Sequence, residues 1–260
     1  CAMGLAGVLT GPGDEWPDGL PGPDQPERVV FIETENRTHL LLQRLEGWGL
    51  EGFELVRQLP RDDRGGIDIA ARAQQQAIAN AVKRTGARLL IIDSLSAGHR
   101  LDENSKQMKR LLLDLCRLAQ QTNVALLAIH HLRKRRGSEA AHTTLDRLRG
   151  SSTIAQLAVV TLTLERPDPA SRTLALRQIK NNVAAEQPPV GMQITQAGVV
   201  WTDPPEGERD PGRPVDQARE FALEMLKEGP METKTLYEIG AERGFAQTTL
   251  YRATKSLGLE

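Results

Sequence analysis

Arg88-Leu89-Leu90-Ile91-Ile92-Asp93-Ser94-Leu95 is a run of apolar residues that ends on a carboxylate. A parallel strand reads this way because helices cover both faces of its sheet, and ligands gather at the carboxyl ends of such strands. Asp93 is therefore expected to face a crevice. A carboxylate there holds a magnesium ion or its waters beside a bound phosphate. The plainer reading is an acid that caps the turn after the strand.

Two further strands flank this one in the sequence. Arg28-Val29-Val30-Phe31-Ile32 is β-branched and apolar and is tipped by Glu33-Thr34-Glu35-Asn36, while Val124-Ala125-Leu126-Leu127-Ala128-Ile129 is tipped by His130-His131. Helical spacing separates them. Leu40, Leu41, Leu42 and Leu45 mark a helix from Thr38 that Gly47 and Gly49 stop. Ile69, Ala73, Ala77, Ile78, Ala81 and Val82 mark a second, ended by Gly86, and Met108, Leu111, Leu112, Leu115 and Leu118 a third. Residues 1–9 read as an Ala/Gly helix, 10–27 as a Gly/Pro/Asp-rich loop, and Phe53-Glu54-Leu55-Val56 as a short strand. Residues 156–164 and 173–180 read as late strands, with a closing hairpin at Met192–Ile194 and Val199–Trp201 turning on Gly198. This rhythm predicts an α/β domain over residues 1–201, with a doubly wound, mostly parallel sheet flanked by helices.

Composition narrows the function classes. Aromatic residues make up only 3% of the 260 residues, so the core must come from Leu, Ile, Val and Ala, which suits helices on a parallel sheet. A formal net charge of -1 excludes a global polycation, so any contact with DNA must use local basic patches. Cys1 and Cys116 lack metal-ligand spacing, and no apolar run approaches the length of a membrane span, which makes the cytoplasm the expected compartment.

Residues 202–214, rich in Pro, Gly and acids, read as a linker to a second module at 215–260. Three short helical patterns follow there, and Gly244 separates the last two. A Gly-containing turn ahead of a basic helix is the helix-turn-helix pattern, whose last helix would present Gln247, Thr248, Tyr251, Arg252 and Lys255 to DNA. A three-helix protein-docking module is the alternative.

Glu35, Asp93 and His131 sit at three strand tips and are expected to converge on one crevice. A carboxylate that polarises water, a second that holds magnesium, and a polar group at the terminal phosphate are what phosphoryl-transfer hydrolysis requires. No Gly-rich loop ending in Gly-Lys-Ser or Gly-Lys-Thr occurs in the chain.

Phe31-Ile32-Glu33-Thr34-Glu35-Asn36, Leu89-Leu90-Ile91-Ile92-Asp93-Ser94-Leu95, Ala128-Ile129-His130-His131-Leu132-Arg133-Lys134 and Arg149-Gly150-Ser151-Ser152-Thr153-Ile154 resemble the RecA-like P-loop ATPases of the RepA hexameric-helicase type. The resemblance covers residues 1 to about 201. It implies ATP and Mg as cofactors, Glu35 as the residue that activates water, Asp93 as the Walker B acid and magnesium ligand, and His131 as the sensor. It also implies that the phosphate-binding loop directly precedes Cys1. Lys180-Asn181-Asn182 is similar to the family's Lys-x-Arg finger, with Asn182 where the Arg would stand, so only Lys180 would act on a neighbouring subunit's nucleotide. Arg133, Lys134, Arg135 and Arg136 open the loop that such ATPases use to contact DNA, and without aromatic partners their binding would be sequence-independent. Phe221 to Leu259 resembles the winged-helix modules that follow this ATPase type, with its wing after Glu260. The implied partners are DNA, further copies in a homohexameric ring, and a replication initiator or primase.

The leading expectation is thus an ATP-driven, DNA-associated motor or helicase loader. A non-catalytic DNA-binding regulator, reading DNA through its C-terminal helices, is the second. A metal-dependent hydrolase using His130, His131, Asp93 and Glu35 is the third, and it is weakened because adjacent residues of a strand point to opposite faces.

Overall fold

Two strands without a polar residue before their last position need cover on both faces, and they receive it. In the computed structural model, which describes residues 1–11, 15–55, 67–103, 105–132, 152–167, 170–185, 187–205, 214–227, 229 and 231–257, the elements begin with α1 (Ala2–Thr10), β1 (Val29–Glu33), α2 (Thr38–Gly47) and β2 (Phe53–Leu55). They continue with α3 (Arg72–Thr85), β3 (Leu89–Asp93), α4 (Lys106–Thr122) and β4 (Ala125–Ala128). Parallel pairing gives the strand order β2-β1-β3-β4, with Glu33 in register with Asp93.

Side chains alternate across a strand, and here the two sets enter two cores. Val30, Ile32, Leu90 and Ile92 pack with Ile78 and Val82 of α3 and with Met108, Leu111 and Leu115 of α4. Val29, Phe31, Leu89 and Ile91 pack on the opposite face with Met3 and Ala6 of α1 and with Leu41 and Leu45 of α2. Burying each such side chain contributes roughly 1.5–3 kcal/mol. The small residues of α1 matter because a Cβ on Gly4 would come within 2.9 Å of Val199. Ser105 starts α4 by accepting the Met108 amide at 3.1 Å, a cap worth about 1 kcal/mol. Gly86 at φ 65 and Asn123 at φ 52 close α3 and α4 in the left-handed conformation.

After α5 (Ser152–Leu157) come β5 (Val160–Glu165), β6 (Leu174–Asn181), β7 (Val190–Thr195) and β8 (Gly198–Thr202). The late strands do not extend the parallel sheet. Among the described residues they pair antiparallel with one another, in the order β5-β6-β7-β8. The connections explain this, since antiparallel strands need only short turns, as at Gly198, whereas parallel ones need a long crossover. Gln156 and Leu157, expected in a strand, are helical in α5.

The chain divides into two compact units, Cys1–Pro205 and Glu206–Glu260. The second holds α6 (Pro214–Leu226), α7 (Thr233–Glu242) and α8 (Gln247–Ser256) around Ala218, Phe221, Ala222, Leu236, Leu250 and Ala253. A Cβ on Gly240 would lie 2.7 Å from Leu250, so glycine lets α7 and α8 approach, and Gly244 at φ 89 makes the turn between them. Among the described residues no helix is long and apolar enough to cross a membrane.

Candidate active site at the strand tips

The parallel ladder continues past the strand ends and fixes the residues that carry charge. The Thr34 amide donates to the Asp93 carbonyl at 2.9 Å. The Thr34 hydroxyl accepts the Ser94 amide and donates to the Ser94 carbonyl, both at 2.8 Å, with both residues buried. On the other side of β3, the Ile129 amide donates to the Ile92 carbonyl at 2.9 Å and the Leu95 amide to the Ile129 carbonyl at 2.7 Å. The turn after β1 is braced by Glu33, whose carboxylate accepts the Glu35 amide at 2.6 Å and the Thr38 hydroxyl at 3.0 Å. Asn36 takes the left-handed φ of 59 that this turn requires, a conformation Asn tolerates.

Glu35 and His131 meet directly. Glu35 Oε1 accepts from His131 Nε2 at 3.2 Å and from the Ser94 hydroxyl at 3.0 Å, while Oε2 faces Arg37 at 3.3 Å. The bonds from His131 and Ser94 hold the Glu35 carboxyl below the usual glutamate range, with Arg37 assisting. Glu35 is thereby kept ionised, and Oε2, with one protein partner, retains room to accept a hydrogen bond from water.

Asp93 shows the opposite shift. Burial raises its carboxyl above the usual aspartate range, and the charges of Glu35 and Glu33 add to this. Among the described residues no hydrogen-bond donor contacts the carboxylate. A divalent cation bound at Asp93 would relieve the repulsion that Glu35 and Glu33 exert on it. Magnesium suits a site where a single carboxylate is left open to it, because it keeps waters and takes its remaining ligands from phosphate.

Ser94, Thr34, Glu33 and Arg37 are the site residues that sequence reasoning missed. Their only signal was adjacency to Asp93 and Glu35. The histidine pair divides as strand geometry requires: His131 turns to Glu35, and His130 turns to Glu103, with Nε2 at 3.2 Å from its carboxylate. Among the described residues no group of three His, Cys, Asp or Glu side chains is placed to hold a metal by itself, which removes support for the metal-hydrolase reading.

The other expected site residues lie apart from this crevice. The Lys180 ammonium donates to the carbonyls of Ala155, Gln156 and Ala158 at 2.7, 3.3 and 2.6 Å, so all three of its protons cap the end of α5. Arg133, Lys134, Arg135 and Arg136 lie outside the described residues. On α8, Thr248, Tyr251 and Lys255 are exposed, with the Lys255 ammonium 5.7 Å from the centre of the Tyr251 ring; the Arg252 side chain lies outside the described residues.

Comparison with known proteins agrees with this architecture. A solved structure of an ATPase domain is similar, with a TM-score of 0.52 and 15% sequence identity over 66% of this chain and 74% of that one, which establishes a shared RecA-like fold. No curated protein matches the chain. The family model for an AAA domain matches residues 1–137, more than half of the 260 residues, and the chain belongs to that AAA domain family.

Proposed function

We propose that the first unit is the ATP-hydrolysing part of a DNA-associated motor or helicase loader. The observation that carries this reading is the Glu35 carboxylate, ionised and oriented by His131 and Ser94, beside an uncompensated Asp93. Asp93 would hold magnesium through its waters, and the ion would supply charge neutralisation for the phosphates. Glu35 Oε2 accepts a hydrogen bond from the attacking water and aims it. As a carboxylate shifted downward, Glu35 is a weak base at neutral pH, so it orients and polarises the water, with proton removal completed as the phosphoryl group departs. His131, about half exposed and bonded to Glu35, is placed to register the terminal phosphate.

The same reading takes DNA as partner, through the basic loop at Arg133–Arg136 and through Thr248, Tyr251, Arg252 and Lys255 in a helix-turn-helix, and it takes a homohexameric ring as the assembly, with an initiator or primase as a further partner. Lys180 acts across the ring in this reading only if its ammonium leaves the α5 carbonyls. Glu35→Gln in the full-length protein tests the assignment: DNA-stimulated ATP turnover is expected to fall about 10²–10⁴-fold, with folding and ATP binding retained. Undiminished turnover would sink it.

The exposed Thr248, Tyr251 and Lys255 favour one second reading, a DNA-binding regulator whose first unit only senses nucleotide. It predicts DNA binding by residues 1–260 that is lost in Tyr251→Ala together with Lys255→Ala, in a protein without DNA-stimulated turnover.

A further inference from the structure

Adjacent histidines follow β4, and the proposed chemistry uses only the second. The first is the more buried of the two: the His130 side chain is 6% exposed against 57% for His131. Each ring nitrogen faces an acceptor, Nε2 at 3.2 Å from Glu103 Oε1 and Nδ1 at 2.9 Å from the carbonyl of His131, and the two contacts are both hydrogen bonds when each nitrogen carries a proton. Glu103 belongs to a built segment, since the Ser105 amide donates to the Asp102 carbonyl at 2.9 Å and Ser105 in turn caps α4.

We propose that His130 is a positioning residue: clasped by Glu103 and bonded to the His131 carbonyl, it holds the tip of β4 so that the His131 ring reaches Glu35. The inference rests on the reading of Glu35 as the carboxylate that aims water. Three features support it. The ladder to β3 carries the strand as far as Ile129 through the bonds to Ile92 and Leu95, and between that point and the β-bridge at Leu132 the two rings bond the chain to Glu103 and Glu35. The rings point to opposite sides, as neighbours in extended chain must, so the tip is gripped by the Glu103 segment on one side and by the Glu35 turn on the other. The bond from His130 to the His131 carbonyl also couples the pair, because a rotation of the His131 backbone that withdrew its ring from Glu35 would break it.

The test uses residues 1–260 and NMR, and does not depend on turnover. Backbone amide order parameters at positions 130 and 131 are expected to be about 0.85 in the parent chain and below about 0.6 in His130→Ala and in Glu103→Ala. Glu103→Gln, whose amide oxygen still accepts from His130, is expected to stay near the parent value. The side-chain carboxyl resonance of Glu35 should move in both alanine variants although neither residue touches Glu35, and the double variant should move it no further than either single one. An unmoved Glu35 resonance with His131 still ordered in both alanine variants, whatever their melting temperatures, overturns the proposal and leaves His130 a packing residue. Glu103→Gln behaving like Glu103→Ala overturns it as well. Full turnover in Glu35→Gln would instead remove the reading of Glu35 and leave these order parameters as they are.

Discussion

The two sheets of the first unit follow opposite rules. In β1 and β3 every residue ahead of the tip is buried, and alternate side chains enter separate cores on the two faces. In β5 the apolar residues point outward, with Val160, Leu162 and Leu164 at 40%, 39% and 38% exposure, while Thr161 and Thr163 are buried and their hydroxyls find no partner among the described residues. A half-covered antiparallel sheet ordinarily turns its apolar side in. The difference bears on where a site can be held to fractions of an ångström: Glu35 and Asp93 stand at the tips of β1 and β3, the two strands that are buried up to their last residue, whereas His131 follows β4, whose residues are half-buried or exposed.

The largest expected effect breaks the parallel side of this comparison. Ile92 is fully buried in the core shared by α3 and α4 and directly precedes Asp93, so Ile92→Ala should cost about 2–5 kcal/mol in urea unfolding. Leu162→Ala in β5 should cost less than about 1 kcal/mol. Equal losses would mean that the outward row of β5 is covered in solution, and the contrast between the sheets would fail.

A hydroxyl exchange sharpens the same contrast with a smaller effect of opposite sign in each sheet. Thr163→Val removes a buried oxygen that has no partner among the described residues and should raise stability by about 1 kcal/mol. Thr34→Val removes a hydroxyl that makes both 2.8 Å bonds to Ser94 and should cost about 1–3 kcal/mol. Thermal melts of both variants check this, and a stabilised Thr34→Val would show that the clamp at the strand tips is not needed to hold them together.

These residues also mark how far the sequence could be read. The runs Val29–Ile32 and Leu89–Ile92 announced buried strands because a short continuous apolar run bounded by turn residues needs cover on both faces, and the strand tips then named Glu35, Asp93 and His131. What decides the bonds at the site is not local. Ser94 reaches Glu35 across 59 residues and His130 reaches Glu103 across 27, and no spacing rule encodes either pairing. In β5 the period of two was visible in Val160-Thr161-Leu162-Thr163-Leu164, yet periodicity does not say which face turns inward. Lys180 was legible as a strand-end lysine, but its commitment to the end of α5 depends on a helix whose last two residues, Gln156 and Leu157, the sequence reading placed in a strand.

The smallest expected effect concerns the charge at the tip of β3. Burial, then Glu35 and Glu33, hold the Asp93 carboxyl above its unfolded value of 3.8, so the folded chain binds this proton more tightly than the unfolded one. Stability from this source is complete below 3.8 and is lost as pH rises from there through the folded value, leaving the ionised group a net cost at neutral pH. Asp93→Asn keeps the shape and removes the charge, so its melting temperature should exceed the parent's at neutral pH and match it in acid below that value. The gain is modest because the group is partly open to solvent, which screens the repulsion. Glu35 provides the reverse control: its carboxyl lies below the usual 4.5, so it stabilises the fold above that pH and the contribution is lost as pH falls through the folded value, and Glu35→Gln should lower the neutral melting temperature. A destabilised Asp93→Asn at neutral pH would mean that a donor already satisfies the carboxylate, and a site whose charge is already answered has no need of a magnesium ion.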